Sequence, residues 1–145
     1  MRFIIVGDGV YKAKIMKEVS KLKLQDIFIF TGFRRDIANF LHLTDIFVLP
    51  SFYEGLGISV LEAMAAGKAV ITTNIDGINE AANTSNSIVV HPRDHYTLAA
   101  AIEELIISEE RRKELGEVAR KWVESKFSIK QMCLEYENLY KELIA

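Results

Sequence analysis

The sequence predicts an α/β fold, a doubly wound parallel sheet followed by a helical C-terminal third. Two observations predict it. Over the first two thirds, short apolar runs alternate with segments of helical period. Those runs are continuously apolar rather than alternating, which is how strands read when both faces of a parallel sheet are covered. The composition allows such a core: of 145 residues half are hydrophobic, with 8 Phe, 5 Tyr and 1 Trp.

Each element follows in order. FIIV (3–6) is a strand that enters a Gly7-Asp8-Gly9 turn. Residues 11–23 place Ile15, Val19 and Leu22 at helical spacing among lysines. IFIF (27–30) is the second strand, ended by Thr31-Gly32, and 35–43 is a short helix carrying Ile37, Phe40 and Leu41. DIFVLP (45–50) is the third strand; Pro50 stops it because proline donates no ladder hydrogen bond. A helix over 58–66 ends at Gly67 as its C-terminal cap. AVITT (69–73) is a strand, 77–82 a turn of helix, and SIVVH (87–91) the last strand, which buries Val89 and Val90. Helices over 94–107, 109–126 and 128–143 complete the chain.

Charge and composition exclude several classes. The formal net charge of −2 offers no basic field for nucleic acid. Arg111-Arg112-Lys113 is answered by Glu109, Glu110 and Glu114 on a solvated helix face. The single cysteine, Cys133, forms no intrachain disulfide and no zinc cluster, and fits a reducing, cytosolic setting. It reads as a core or interface residue, Trp122 with Val118 and Phe127 as packing, and His42 and His91 as structural. The three histidines lack metal-ligand spacing, no run is long enough for a membrane span, and MRFIIVGDG reads as a strand rather than a signal peptide.

In folds of this class ligands sit beyond the carboxyl ends of the strands. Four loops there carry candidates. Gly7 and Gly9 are weak ones: a dinucleotide fingerprint would place its third glycine at position 12, which is Lys12, so both also read as turn glycines. Gly32, Phe33 and Arg34 offer a backbone turn, a ring and a cation for a nucleobase edge or a phosphate; the alternative is a solvated Arg34-Arg35 pair after a turn. PSFYEGLGISVLEAMAAG (50–67) carries the strongest signal. Gly55 and Gly57 let the backbone approach a ligand, and the unpaired amides of the helix start favour a phosphate. Glu54 and Glu62 flank that start with seven residues between them. Acids beside an anion site suit a ligand that carries hydroxyls on both sides of its phosphates, since carboxylates accept from hydroxyls. Ribose, pyrophosphate and hexose in a nucleoside-diphosphate sugar have that layout. The bland alternative makes Glu54 a helix-start acid and Glu62 a solvent-facing residue. Against it, Val60, Leu61, Met64 and Ala65 surround Glu62, and a charge among apolar groups needs a partner. The fourth loop, Asn74 to Glu80, offers Glu80 as a weaker candidate.

The stretch resembles the signature of GT-B glycosyltransferases of the large retaining family 4, the group 1 glycosyltransferases. A strand ending in Pro-Ser, then EGLG, then LEAMAAG follow that signature, and VGDG, IFTGF, DIFVLPS and AVITT with a downstream Gly-x-x-Glu fall in the same order and spacing. The resemblance covers nearly the whole chain and implies a Rossmann-like donor-binding domain, one half of a GT-B fold, over 1–145. It implies that Glu54 contacts the transferred sugar and takes part in catalysis, and that Glu62 holds the ribose. It places Leu56, Gly57, Ile58 and Ser59, beside Gly55, at the amides that receive the diphosphate, and Gly32, Phe33 and Arg34 beside the nucleobase. It implies no cofactor and no metal, a UDP or GDP sugar as donor, and a sugar, lipid or polysaccharide as acceptor. It implies a cytoplasmic enzyme, with room for a peripheral position on the inner face of a membrane.

Two departures temper this. Where the family commonly has Gly-Gly-x-x-Glu, this chain has Asp76-Gly77-Ile78-Asn79-Glu80, which puts that loop's role in question and leaves Glu80 readable as a helix-start acid. The family's earlier strand, with its Arg and Lys clamp, and its acceptor-binding domain find no counterpart in these residues. The expectation is therefore a donor domain incomplete at its N-terminal end, inactive alone. Rivals are a non-catalytic donor-binding subunit of a two-chain enzyme and a sugar-nucleotide epimerase of the same fold. A nicotinamide-binding domain is disfavoured by Lys12.

Overall fold

The computed structural model describes residues 1–144 and divides the chain into two compact units, Met1–Ile37 and Ala38–Ala145. The first unit holds β1 (Phe3–Val6), α1 (Lys12–Lys21) and β2 (Phe28–Gly32). β1 and β2 pair in parallel, Phe3 opposite Phe28 and Ile5 opposite Phe30, with a register shift before Val6 meets Gly32. The Phe3 and Phe28 rings stack 4.8 Å apart, a cross-strand aromatic pair that helps fix the register. α1 buries Val19 alone; Ile15 stays exposed and Leu22 caps the helix end in solvent.

The second unit begins within α2 (Ile37–Leu43), whose first residue belongs to the first unit. It continues with β3 (Ile46–Leu49), α3 (Ile58–Ala65), β4 (Ala69–Thr73), α4 (Asp76–Asn79) and β5 (Ile88–Val90). Then come α5 (His95–Ile107), α6 (Glu109–Lys126) and α7 (Ile129–Ile144). β4 lies between β3 and β5, both pairings parallel, and all five of its residues are buried. Its Ala69 and Ile71 form a core with Val90, Ala101, Leu105 and Leu115, so α5 and α6 cover the strand.

All five expected strands are present and parallel, β1–β2 paired in the first unit and β3–β4–β5 in the second, the α/β class the sequence predicts. Burial of both faces holds for β4 and fails for β1, where Ile4, Ile5 and Val6 are 36–40% exposed.

The turns follow local rules. Gly67 adopts φ +68°, its amide donating to Met64 and that of Lys68 to Ala63, a Schellman stop for α3. Arg112 leaves the expected solvated charge cluster and donates to the carbonyls of Leu105 (2.5 Å) and Ile106 (3.1 Å), closing the end of α5. Lys113 pairs with Glu109 and Arg111 with Glu114, as the charge pattern predicts. Trp122 and Phe127 are half-buried, but Val118 is exposed, and so is Cys133: α7 buries no residue, which removes the core role expected for that thiol.

Asp94 caps α5, accepting from the Thr97 hydroxyl (2.6 Å) and amide (3.0 Å). These bonds, the hydroxyl's foremost, hold its pKa below the ordinary carboxylate value. The stabilisation is therefore present above the unfolded carboxylate pKa of about 3.9 and lost as pH falls through the depressed value. The protection of amides in the first turn of α5, measured against the unfolded-peptide exchange rate at each pH, is expected to fall in acid in the wild type, and to lose that pH dependence in Asp94→Asn.

Candidate functional site

The candidates fall into two groups, one in each unit. In the first unit the two loops beyond β1 and β2 are tied together. The Gly7 amide donates to the Gly32 carbonyl at 2.9 Å, and both glycines have positive φ, +125° and +68°. Asp8 accepts from the Gly9 amide and pairs with Lys12 Nζ at 2.9 Å, and that salt bridge lies beside Gly32. Lys12, where a dinucleotide fingerprint would have glycine, thus holds the acid of the turn and lowers its pKa. Phe33 is 74% exposed, leaving its ring face open. Arg34 is not the open cation the sequence suggested. Its Nε and Nη2 donate to the two oxygens of Asp36 at 2.8 and 2.7 Å, a bidentate pair that answers its charge locally.

In the second unit the candidates lie between Glu54 and Glu62, in the loop that follows β3 and the first turns of α3. Pro50 ends the strand, and the loop runs to Gly57, which adopts φ +68° and starts α3. A non-glycine residue would be strained there. A side chain at Gly57 would meet Ile78 of α4 and Val60 at 3.4–3.7 Å, ordinary contact, so conformation rather than space calls for glycine.

The start of α3 is chemically open. No side chain caps it and its first turn carries no acid, whereas Asp94 and Ser108 cap α5 and α6. The Gly57 carbonyl takes the amides of Val60 and Leu61, and the amides of Gly57, Ile58 and Ser59 have no partner among the described residues. Three donors thus converge at the positive end of an eight-residue helix, an arrangement that accepts an anion.

Glu54 is exposed and accepts from the Ser51 hydroxyl at 2.9 Å. Glu62 is also exposed; α3 buries Val60, Ala63 and Met64 on its other side. The argument that burial forces a partner on Glu62 therefore fails: Val60 and Met64 are buried, but Glu62 itself is exposed. Glu80 closes α4 rather than opening a helix, which overturns its reading as a helix-start acid.

The roles of four residues escaped the sequence reading. Thr73 donates to the Ser51 carbonyl at 2.5 Å, and Gly77 lies against the Glu54 backbone so closely that a Cβ there would overlap the Glu54 carbonyl oxygen. A signal existed for Thr73: hydroxyls ending an otherwise apolar buried strand call for partners. Arg93, with φ +68°, sets its guanidinium 5.5 Å from the Phe52 ring centroid, a cation–π contact two residues from Glu54 that no local pattern announces.

Among the described residues no helix is long and apolar enough to cross a membrane, and no group of three or more His, Cys, Asp or Glu side chains is placed to hold a metal ion.

Comparison with known proteins agrees with the fold and the motifs. Residues 1–122 match the family described as "Glycosyl transferases group 1". The chain is 29% identical over 144 residues to N-acetyl-alpha-D-glucosaminyl L-malate synthase of Bacillus anthracis, covering 99% of this chain and 38% of that protein. It is 30% identical over 145 residues to alpha-D-kanosaminyltransferase of Streptomyces kanamyceticus, covering 98% of this chain and again 38% of the relative. In fold it is similar to Anabaena HepE, solved in complex with UDP, with a TM-score of 0.92, 22% identity, and 98% of this chain and 41% of that one covered. The chain thus spans well under half the length of these relatives.

Proposed function

Because the chain belongs to the group 1 glycosyltransferases, we propose that residues 1–145 are a donor-binding domain, one that holds a nucleoside-diphosphate sugar for transfer of its hexosyl group. The observation that carries this reading is the uncapped start of α3, with free amides at Gly57, Ile58 and Ser59 and a carboxylate to each side. The amides receive the diphosphate, with Gly55 and Leu56 shaping the approach. Their positive end meets the phosphate charge without a metal ion. Glu62, one turn into the helix, accepts from the ribose hydroxyls, and Glu54 from a hydroxyl of the hexose. The two acids need not share a face, since they serve different sugars of one ligand.

In the first unit, the exposed Phe33 ring after Gly32 offers a stacking surface of the kind a nucleobase takes. The Arg34–Asp36 pair gives Arg34 an orienting role there rather than that of a free phosphate ligand.

Transfer is proposed to retain the anomeric configuration. The bond from the anomeric carbon to the diphosphate oxygen breaks, and a bond to the acceptor hydroxyl forms on the same face. The leaving diphosphate takes the acceptor proton, with Glu54 steadying the sugar. The acceptor is a sugar, a lipid carrier or a growing polysaccharide.

Titration with UDP-, GDP- and ADP-glucose by calorimetry tests the reading. UDP-glucose is the first donor to try, since the similarly folded HepE was solved with UDP. Saturable binding of one of the three supports the proposal. No heat from any of them at millimolar concentration contradicts it.

A further inference from the structure

We propose that Thr73 and Gly77 are positioning residues for Glu54, and that through it they set how strongly the site prefers a nucleotide sugar over the bare nucleotide. This rests on the assignment of Glu54 to the hexose given above.

β4 ends in two threonines that are 1% and 2% exposed. Valine would fill a buried strand as well, so the hydroxyls need a reason. The ladder gives one. β3 and β4 pair from Ile46–Ala69 to Leu49–Thr72, and the next residue of β3's strand path is Pro50, which has no N–H to continue the ladder. Side chains take over where the backbone stops. Thr72 Oγ1 donates to the Leu49 carbonyl at 3.1 Å, and Thr73 Oγ1 to the Ser51 carbonyl at 2.5 Å. Ser51 passes the connection on, its own hydroxyl donating to Glu54 Oε1 at 2.9 Å.

The other side of the loop rests on α4. A Cβ on Gly77 would overlap the Glu54 carbonyl oxygen and would lie 2.6 Å from the Glu54 carbonyl carbon and 2.8 Å from the Gly55 oxygen. All three atoms are backbone, so no rotamer change relieves the clash. The Glu54–Gly55 peptide is therefore seated on the Gly77 backbone, while Thr73 ties the residue that holds the Glu54 carboxylate. Glu54 is exposed and Ser51 is its hydrogen-bond partner, so its direction is set by these two supports rather than by burial. Gly77 thus has a role that does not depend on the residue before it, Asp76.

The test uses the full chain and the variants Thr73→Val, Thr73→Ser, Gly77→Ala and Glu54→Gln. Dissociation constants for UDP and UDP-glucose are measured by calorimetry, with amide exchange over 51–57. Thr73→Val and Gly77→Ala are expected to lower the preference for UDP-glucose over UDP at least about fivefold, toward that of Glu54→Gln. In Thr73→Val the UDP affinity should stay within about twofold of wild type, a split that general damage would not produce. Thr73→Ser should keep the wild-type preference, and exchange over 52–56 should rise about tenfold in Thr73→Val. If Thr73→Val and Gly77→Ala keep the wild-type preference and exchange, or weaken both ligands equally, the proposal is overturned. Should Gly77→Ala not fold, Thr73→Val with its serine rescue decides alone. If Glu54→Gln leaves the preference unchanged, or wild type binds neither ligand, the assignment of Glu54 to the sugar fails; the exchange measurement then decides the positioning role by itself.

Discussion

Leu105→Ala is expected to destabilise the second unit by about 3–4 kcal/mol, near the middle of the range for large-to-small core changes. Leu105 is fully buried among Ala69, Ile71, Val90, Ala101 and Leu115. Truncation removes apolar contact and leaves a cavity, and the final cost depends on how far the neighbours can close it. Here they are held. β4 is hydrogen-bonded on both sides, and Arg112 clamps the end of α5 through the carbonyls of Leu105 and Ile106. A helix pinned at that point has little freedom to slide inward. Urea unfolding followed by the fluorescence of Trp122, the only tryptophan and a residue of this unit, should show a lower midpoint at unchanged slope. A loss under about 1 kcal/mol would mean that the core repacks and that the clamp holds nothing.

Glu62→Ala is expected to weaken UDP and UDP-glucose binding alike, by roughly 10- to 100-fold. A charge-assisted hydrogen bond contributes about 1.5–3 kcal/mol, and each 1.4 kcal/mol is a factor of ten in affinity. Both ligands should suffer because both carry the ribose. Stability should hardly move, since Glu62 is exposed on α3 and surface substitutions usually fall within about 0.5 kcal/mol. Glu54→Gln should behave differently and spare UDP. Equal loss of both ligands in both variants would contradict the division of labour between the two acids.

Much of this was legible in the chain. The five strands and the major helices fall close to where apolar runs and helical spacing put them. Gly67 ends α3 and Pro50 ends the β3 stretch for local reasons that any sequence carries. The α3 start was legible too, because Gly55 and Gly57 are local signals. What failed was whatever depends on distant neighbours. The apolar run FIIV looks like a core strand, yet Ile4, Ile5 and Val6 keep much of their surface exposed, because β1 has a paired strand on one side only. Glu62 looked buried because its sequence neighbours are apolar, but a helix points residues one position apart in different directions. Arg34 looked like a free cation until Asp36, two residues on, folded back to meet it. Gly77 could not announce itself, since its reason is the backbone of Glu54, more than twenty positions earlier.

The central claim is that the amides opening α3 bind the diphosphate. The direct measurement is an NMR titration of the nitrogen-15-labelled chain with UDP. The account predicts that the amide signals of Gly57, Ile58 and Ser59 shift most and saturate together, with Glu62 following. Saturating shifts elsewhere that leave these three amides unmoved would contradict it.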